Sequence, residues 1–323
     1  MLSELASITA LLETIIWPTT ISDRLATFIL FLFFVILATL ESHFPKRAFS
    51  GKGLRLSYRT NISLFIFNST VLSLVSASSL LMLAEHYSGP GALNYFSSPG
   101  WRAILSFLVL DLLLYVWHKA SHNFDVLWMF HKVHHNDPCL NVSTAFRIHI
   151  VELLIITVLK AAYIVTLGLD KATVLINEAI ITSFVMFHHT NISFKGEGLL
   201  GRVLIVPYLH RAHHSTERNE HDQNYGAVLS LWDRLFGTLA ELEPVKIGIK
   251  EDSPQTFIKL VKFGFTMANT PTELSINLEA MIAEAAYYKA EKRNFYPGYE
   301  IRDWLEAKKE IFRQVYGDKK LAN

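Results

Sequence analysis

The chain has 323 residues, 51% of them hydrophobic and 18% charged, with a net charge of +1 and a mean hydropathy of +0.27. That balance is too apolar for an ordinary water-soluble domain and too polar for a chain wholly inside lipid, so a membrane part joined to a water-facing part is expected. Near-neutral charge excludes nucleic acid or another polyanion as partner, and the single Cys139 excludes both an intrachain disulfide and a cysteine-rich metal site.

Residues 1–24 form an apolar-rich lead-in with acids at Glu4, Glu13 and Asp23, and without a basic start or a small-residue cleavage site they do not read as a removable signal peptide. Residues 25–40 carry no charge and predict a first transmembrane helix, which Arg24 lengthens by snorkelling. A loop over 41–60 holds five basic residues, Lys46, Arg47, Lys52, Arg55 and Arg59, and the uncharged run 61–84 predicts a second span. The next loop, 85–100, has no Lys or Arg, so the positive-inside rule puts the 41–60 loop in the cytoplasm and the 85–100 loop opposite. A third span over 101–117 then returns to the cytoplasm. Residues 148–167 and 172–189 predict a membrane-embedded hairpin, joined at Gly168 and interrupted by Glu152, Lys160 and Glu178. The expected fold is an all-α integral membrane bundle of about three spanning helices plus this hairpin, under a cytoplasmic His-rich helical cap. Three regions are expected: 1–100 as a transmembrane region, 101–240 as a histidine-rich domain and 241–323 as a cytoplasmic helical tail. Lys319 and Lys320 lie one position too far from the end for dilysine retrieval.

Eleven of the fourteen histidines lie between His118 and His214. Asp111, Tyr115, His118 and His122 follow at i, i+4, i+7 and i+11, so they share one helix face. His131, His134 and His135 share a face within one turn, and His210, His213 and His214 repeat that spacing. One buried histidine is ordinarily structural, but three clusters at ligand spacing predict a multi-histidine metal site. The hairpin crosses and returns, so it brings His188 and His189 back to the same side. Imidazole suits zinc, copper, iron and nickel alike. A hydrolytic His-Glu-x-x-His zinc site is absent, since position 119 is Lys, and so are the Glu-x-x-His pairs of soluble di-iron bundles.

His118-x3-His122, His131-x2-His134-His135 and His210-x2-His213-His214 resemble the three histidine boxes of the fatty acid hydroxylase and sterol desaturase superfamily of membrane di-iron oxygenases. Ala145-Phe-Arg-Ile-His149, His189-Thr-Asn-Ile192, Asn224-Tyr-Gly226 and Trp232-Asp-Arg-Leu-Phe-Gly-Thr238 extend the resemblance over about 101–240. It implies two iron ions, which zinc can replace during purification, held by His118, His122, His131, His134, His135, His189, His210, His213 and His214. Position 185, where one branch of the family has a further histidine, is Val, so the tenth ligand position stays open between His188 and His149. The implied reaction hydroxylates or desaturates an unactivated C–H bond of a fatty acyl or sterol lipid with O2. With no cytochrome b5-like segment in the chain, electrons come from a separate ferredoxin or cytochrome b5 type donor. The implied location is a bacterial inner membrane, or the endoplasmic reticulum of a eukaryote, with the site on the cytoplasmic side.

Metal-bound histidine donates its other N–H to a carboxylate or carbonyl, and Asp111, Asn224 and Asp233 are the expected partners, with an Asp111–Lys160 ion pair as the structural alternative for the first. Phe65, Phe67, Phe107, Phe187 and Tyr115 are candidates to line a lipid entry route. The competing readings are a membrane metal transporter or sensor, and a structural protein whose histidines only pack.

Overall fold

A computed structural model describes residues 21–74, 80–89, 91–249, 253–266 and 278–316, and these contain helices and no strand. The lead-in over 1–20 and the Lys319–Lys320 pair lie outside the described residues. Two compact units are present, residues 1–268 and 269–323.

In the first unit, three helices are long and apolar enough to cross a membrane: α1 (Ile21–His43, apolar over Arg24–His43), a later helix Pro99–Asn123 and another at Ile150–Leu167. Large apolar side chains such as Phe28, Phe31, Ile104 and Val158 point outward from them, as expected where the solvent is lipid. Of the uncharged run 61–84, α2 (Gly51–Leu74) and α3 (Leu80–Tyr87) hold the described parts, and 75–79 lie outside the described residues. Helix α2 buries Ser57, Thr60, Asn61 and Asn68. These uncharged but polar residues turn inward to partners, so one face of the helix belongs to the protein interior.

Helix α4 (Pro99–Asn123) opens with proline in its first turn, where the missing N–H costs nothing. It ends at Phe124, which also caps the start of α5 (Asp125–His135), so the first two histidine boxes are joined by a one-residue corner. Helices α6 (Ile150–Leu167) and α7 (Lys171–His188) form the expected hairpin. Gly168 ends α6 in the left-handed region at φ 68°, and the Asp170 side chain caps α7 by accepting from the Thr173 N–H. A shared core of Leu110, Ile164, Leu167, Val174 and Ile181 packs α4, α6 and α7 together. Asn177 adds polar links, donating to Tyr163 Oη at 2.9 Å and Ser106 Oγ at 3.1 Å. After short helices α8 (Glu197–Leu200), α9 (Pro207–His213), α10 (Arg218–His221) and α11 (Leu231–Leu235), helix α12 (Phe257–Phe263) packs back on α2 and α5. The segment after 240 therefore does not leave the first unit at once.

A buried polar floor lies beneath α5. Asp137 accepts from Ser57 Oγ (2.7 Å), Asn61 Nδ2 (2.9 Å) and Thr144 Oγ1 (2.8 Å). Arg147, fully buried, donates to the carbonyls of Val133 and Asn136 and to the side chains of Asn61 and Gln255, with Asp137 3.7 Å away. This network ties α2, the last turn of α5 and the chain entering α6 into one body. The second unit is a helical hairpin, α13 (Leu278–Lys292) and α14 (Glu300–Tyr316), with Ile282, Ala307 and Ile311 at its centre.

Removing one member of a buried charge pair leaves the other uncompensated. Arg147→Ala is therefore expected to lower stability by about 3–5 kcal/mol, read as loss of folded, monodisperse protein or a lower melting temperature in mild detergent.

Candidate metal centre

The nine box and hairpin-end histidines gather at the ends of α4, α5, α7 and α9 as two sets. His118, His122, His131, His135 and His213 form one, and His134, His189, His210 and His214 the other; within each, one nitrogen per ring lies within 4.8 Å of the rest. The i+3 and i+4 spacing inside α5 sends His131 and His135 to the first set and His134 to the second. In α9 it sends His213 to the first and His210 with His214 to the second. Each of the latter two boxes thus serves both sets.

Hydrogen bonds fix the tautomer of five rings. Nδ1 of His118 donates to the Tyr225 carbonyl (2.8 Å), that of His189 to Val185 (2.6 Å) and that of His213 to Gln223 (2.7 Å). Nδ1 of His131 meets Glu152 Oε1 at 2.6 Å, and that of His122 meets Asp222 Oδ1 at 3.1 Å. With Nδ1 carrying the proton, the inward Nε2 of each ring holds a lone pair. Nε2 of His118, His131 and His213 is buried and has no hydrogen-bond partner among the described residues. A lone pair so placed calls for an electron-pair acceptor, which a metal cation provides. The pairs His134–His189, His189–His210, His210–His214 and His122–His135 bring Nε2 atoms to 3.0, 2.9, 3.1 and 3.1 Å. Neighbouring ligands at right angles, each about 2.1 Å from one ion, would stand about 3.0 Å apart. The donor set therefore fits two metal ions.

Burial first, and the neighbouring imidazoles second, push His134, His135, His210, His213 and His214 well below the ordinary imidazole range. These rings are neutral at physiological pH, the state in which imidazole ligates.

The tenth position resolves unevenly. Both nitrogens of His149 are spent on backbone, Nε2 on the Val261 carbonyl (3.1 Å) and Nδ1 on the Val151 N–H (3.2 Å), so it is the cap of α6 and not a ligand. His188 belongs to neither set; its ring centroid lies 4.0 Å from that of His210, and its buried Nδ1 has no partner among the described residues.

The expected orienting residues are displaced by one step. Asp111 accepts from the N–H groups of Val228 (2.9 Å) and Leu229 (3.1 Å) and from Trp232 Nε1 (2.8 Å), and touches neither His118 nor Lys160. Lys160 pairs with Glu178 instead, at 2.7 Å. Asp233 accepts from the N–H groups of Tyr225 and Gly226, both at 2.8 Å. Asn224, at φ 56°, donates to the carbonyls of Leu209 and Ala240. All three brace the 224–229 segment, whose Tyr225 carbonyl holds His118. The carboxylates that do touch ligand rings are Glu152 and Asp222. The cost of an acid inside an apolar hairpin was a signal for Glu152; for Asp222, an exposed-looking acid beside the third box, no comparable signal existed.

A cavity of about 410 Å³ opens beside the sets. His118, His131, His134, His188, His189 and His210 line it, followed by Phe65, Leu72, Leu114, Ile156, Ile181 and Met186, with the Lys160–Glu178 pair in its wall. Of the five aromatic candidates only Phe65 borders it. Tyr115 stacks on Phe236 and bonds Thr238, Phe67 packs on Phe257, and Phe107 and Phe187 belong to apolar packing clusters.

Two outcomes follow. Glu152→Gln and Asp222→Asn are expected to weaken metal binding by roughly 10- to 100-fold in chelator competition, whereas Asp111→Asn acts first on thermal stability. In metal-free protein, unfolded histidines bind protons below about pH 6.5 while the buried rings do not, so stability falls as pH drops through that value; unfolding midpoints from pH 8 to pH 5 check this.

Residues 103–238 match the family model described as fatty acid hydroxylase, and residues 277–312 match a model described as a protein of unknown function. Alkylglycerol monooxygenase of Danio rerio is 31% identical over 140 residues, 43% of this chain and 31% of the relative. Ornithine lipid hydroxylase OlsE of Rhizobium tropici is 30% identical over 138 residues, 43% of this chain and 41% of the relative. Cholesterol 25-hydroxylase of Rattus norvegicus is 26% identical over 169 residues, 48% and 53% of the two chains. The chain thus spans between a third and about half of the length of these relatives, and no solved structure matches. The matched segment, residues 103–238, holds all nine histidines of the two sets, and it is this segment that is similar to the fatty acid hydroxylase family.

Proposed function

We propose that this multi-pass membrane protein is an O2-dependent lipid hydroxylase whose two histidine sets hold iron. The observation that carries the reading is the junction of nine inward-facing imidazoles with an apolar cavity among membrane helices. The names of the relatives, which specify a monooxygenase and hydroxylases of lipids and a sterol, support it. Iron would supply the redox chemistry that splits O2. Hydroxylation places one oxygen atom in a C–H bond and releases the other as water, which requires two electrons and two protons from outside the lipid. We assign the electrons to a separate donor of ferredoxin or cytochrome b5 type.

The chain's own part is positional. His118, His122, His131, His135 and His213 would hold one ion and His134, His189, His210 and His214 the other, while Glu152, Asp222 and three backbone carbonyls keep the ligating nitrogens turned inward. The apolar wall from Leu114 to Met186 holds a hydrocarbon segment near the centre and excludes bulk water. Since the histidines stand at helix ends, a lipid enters sideways from one leaflet. Positive-inside asymmetry supports the cytoplasmic leaflet, and we assign it to a bacterial inner membrane or the endoplasmic reticulum. In this reading residues 1–100 anchor, 101–240 catalyse and 241–323 form a cytoplasmic helical tail.

Elemental analysis of protein in mild detergent is expected to give about two irons per chain, lost in His134→Ala. With reductant and O2, wild type alone should convert membrane lipid to a product heavier by one oxygen. Metal-free wild-type protein with undiminished thermal stability would overturn the reading.

A further inference from the structure

We propose that the cavity beside the metal centre binds a lipid by a neutral, hydroxylated head group, held by Asn68, Trp117 and Glu152, with the hydrocarbon chain running away from the metals. The inference rests on the lipid-hydroxylase reading and names its substrate class.

Besides histidine nitrogens, three buried polar atoms of the cavity wall have no hydrogen-bond partner among the described residues: Asn68 Oδ1, Trp117 Nε1 and Glu152 Oε2. Asn68 is 3% exposed and Glu152 4%. Their chemistry is fixed by what their other atoms do. Asn68 Nδ2 donates to the Ile148 carbonyl at 2.8 Å, so the amide oxygen is the atom left over. Glu152 Oε1 is taken by His131, which leaves Oε2. The indole N–H of Trp117 is a donor only. All three belong to the metal end of the cavity: Glu152 holds a ligand ring, Asn68 is tied one turn earlier on the same chain, and Trp117 precedes His118. Polar groups left unpaired in an apolar surrounding are costly and rare, and three around one cavity mark where a ligand supplies the partners.

The set consists of two acceptors, one of them a carboxylate, and one donor. Two O–H groups satisfy the acceptors and a hydroxyl or ether oxygen satisfies the indole, which a vicinal diol provides. A carboxylate or phosphate head group meets repulsion from Glu152 and offers Asn68 nothing. Beyond this end the wall becomes apolar at Leu72, Leu114 and Ile156. Lys160, eight residues and thus roughly 12 Å beyond Glu152 along α6, is neutralised by Glu178 and limits the chain at the far end. The carbon presented to the metals therefore lies next to the head group and not at the chain terminus.

The test compares three probes of equal chain length: a 1-O-alkylglycerol, the same lipid with both hydroxyls methylated, and the free fatty acid. Thermal shift of iron-free protein in detergent reads binding without turnover. Wild type is expected to be stabilised by the diol alone. Asn68→Leu and Trp117→Phe should each weaken apparent affinity by roughly threefold to tenfold. In iron-loaded protein the same variants should raise KM by a similar factor with kcat little changed, and mass spectrometry should place the new oxygen beside the head group. Equal stabilisation by the methylated lipid or the fatty acid would overturn the inference, as would unchanged affinity in both variants or oxygen placed at a remote carbon. If loaded wild type oxidises none of the three, the hydroxylase reading falls, and the thermal shifts alone decide whether this head-group site exists.

Discussion

Nine imidazoles packed within one another's reach cannot share that space as cations, and as neutral rings they cannot all satisfy both nitrogens. The structure meets this constraint by turning each Nε2 inward and, for five of the rings, spending Nδ1 on an acceptor outside the cluster. Those acceptors come from the start of α6, the last turn of α7 and the 222–225 segment. The rest of the fold can be understood as what brings them there. The one-residue corner at Phe124 sets α5 against α4, and the Gly168 turn returns α7 to the level at which α6 began.

The loop over 222–229 bears the most on this arrangement, because it supplies acceptors to three ligand rings and has no regular structure of its own. Two buried carboxylates hold it. Asp111 reaches from the middle of α4 to Val228 and Leu229, and Asp233 reaches back to Tyr225 and Gly226. An acid within a membrane helix is tolerated here because three donors converge on it, which is the condition under which a buried charge is stable. The same logic governs the floor, where Asp137 and Arg147 neutralise each other while fixing the chain on either side of α5.

What the sequence made legible was local. Ligand spacing within a turn of helix determines which rings share a face, so the three boxes could be read from one-dimensional pattern, whereas His189 came from the hairpin's return and the family resemblance. The second tier could not, since Glu152 meets His131 across 21 positions and Asp222 meets His122 across 100. Choosing Asp111 for its helix face found a residue that matters, but one bond removed from the ring. His149 failed for a related reason: a histidine that caps a helix and one that ligates look alike until the partner of each nitrogen is known. In the run 61–84 hydropathy registers the absence of charge and takes little account of the hydrogen bonds that Asn61 and Asn68 make inward.

The position of the histidines relative to lipid bears on what they do. Ligands for a transported ion belong near the bilayer midplane on interrupted helices. Here α4 and α6 continue unbroken through their apolar lengths, and the rings stand where α4, α5, α7 and α9 end, over a polar floor that would be ruinous at midplane depth. What extends from the rings among the helices is a mostly apolar cavity whose two deeper charged groups, Lys160 and Glu178, pair with each other. Such a lining suits a hydrocarbon chain. The buried polar atoms that remain unpaired sit next to the ligands, which is where the polar end of such a chain would have to stop.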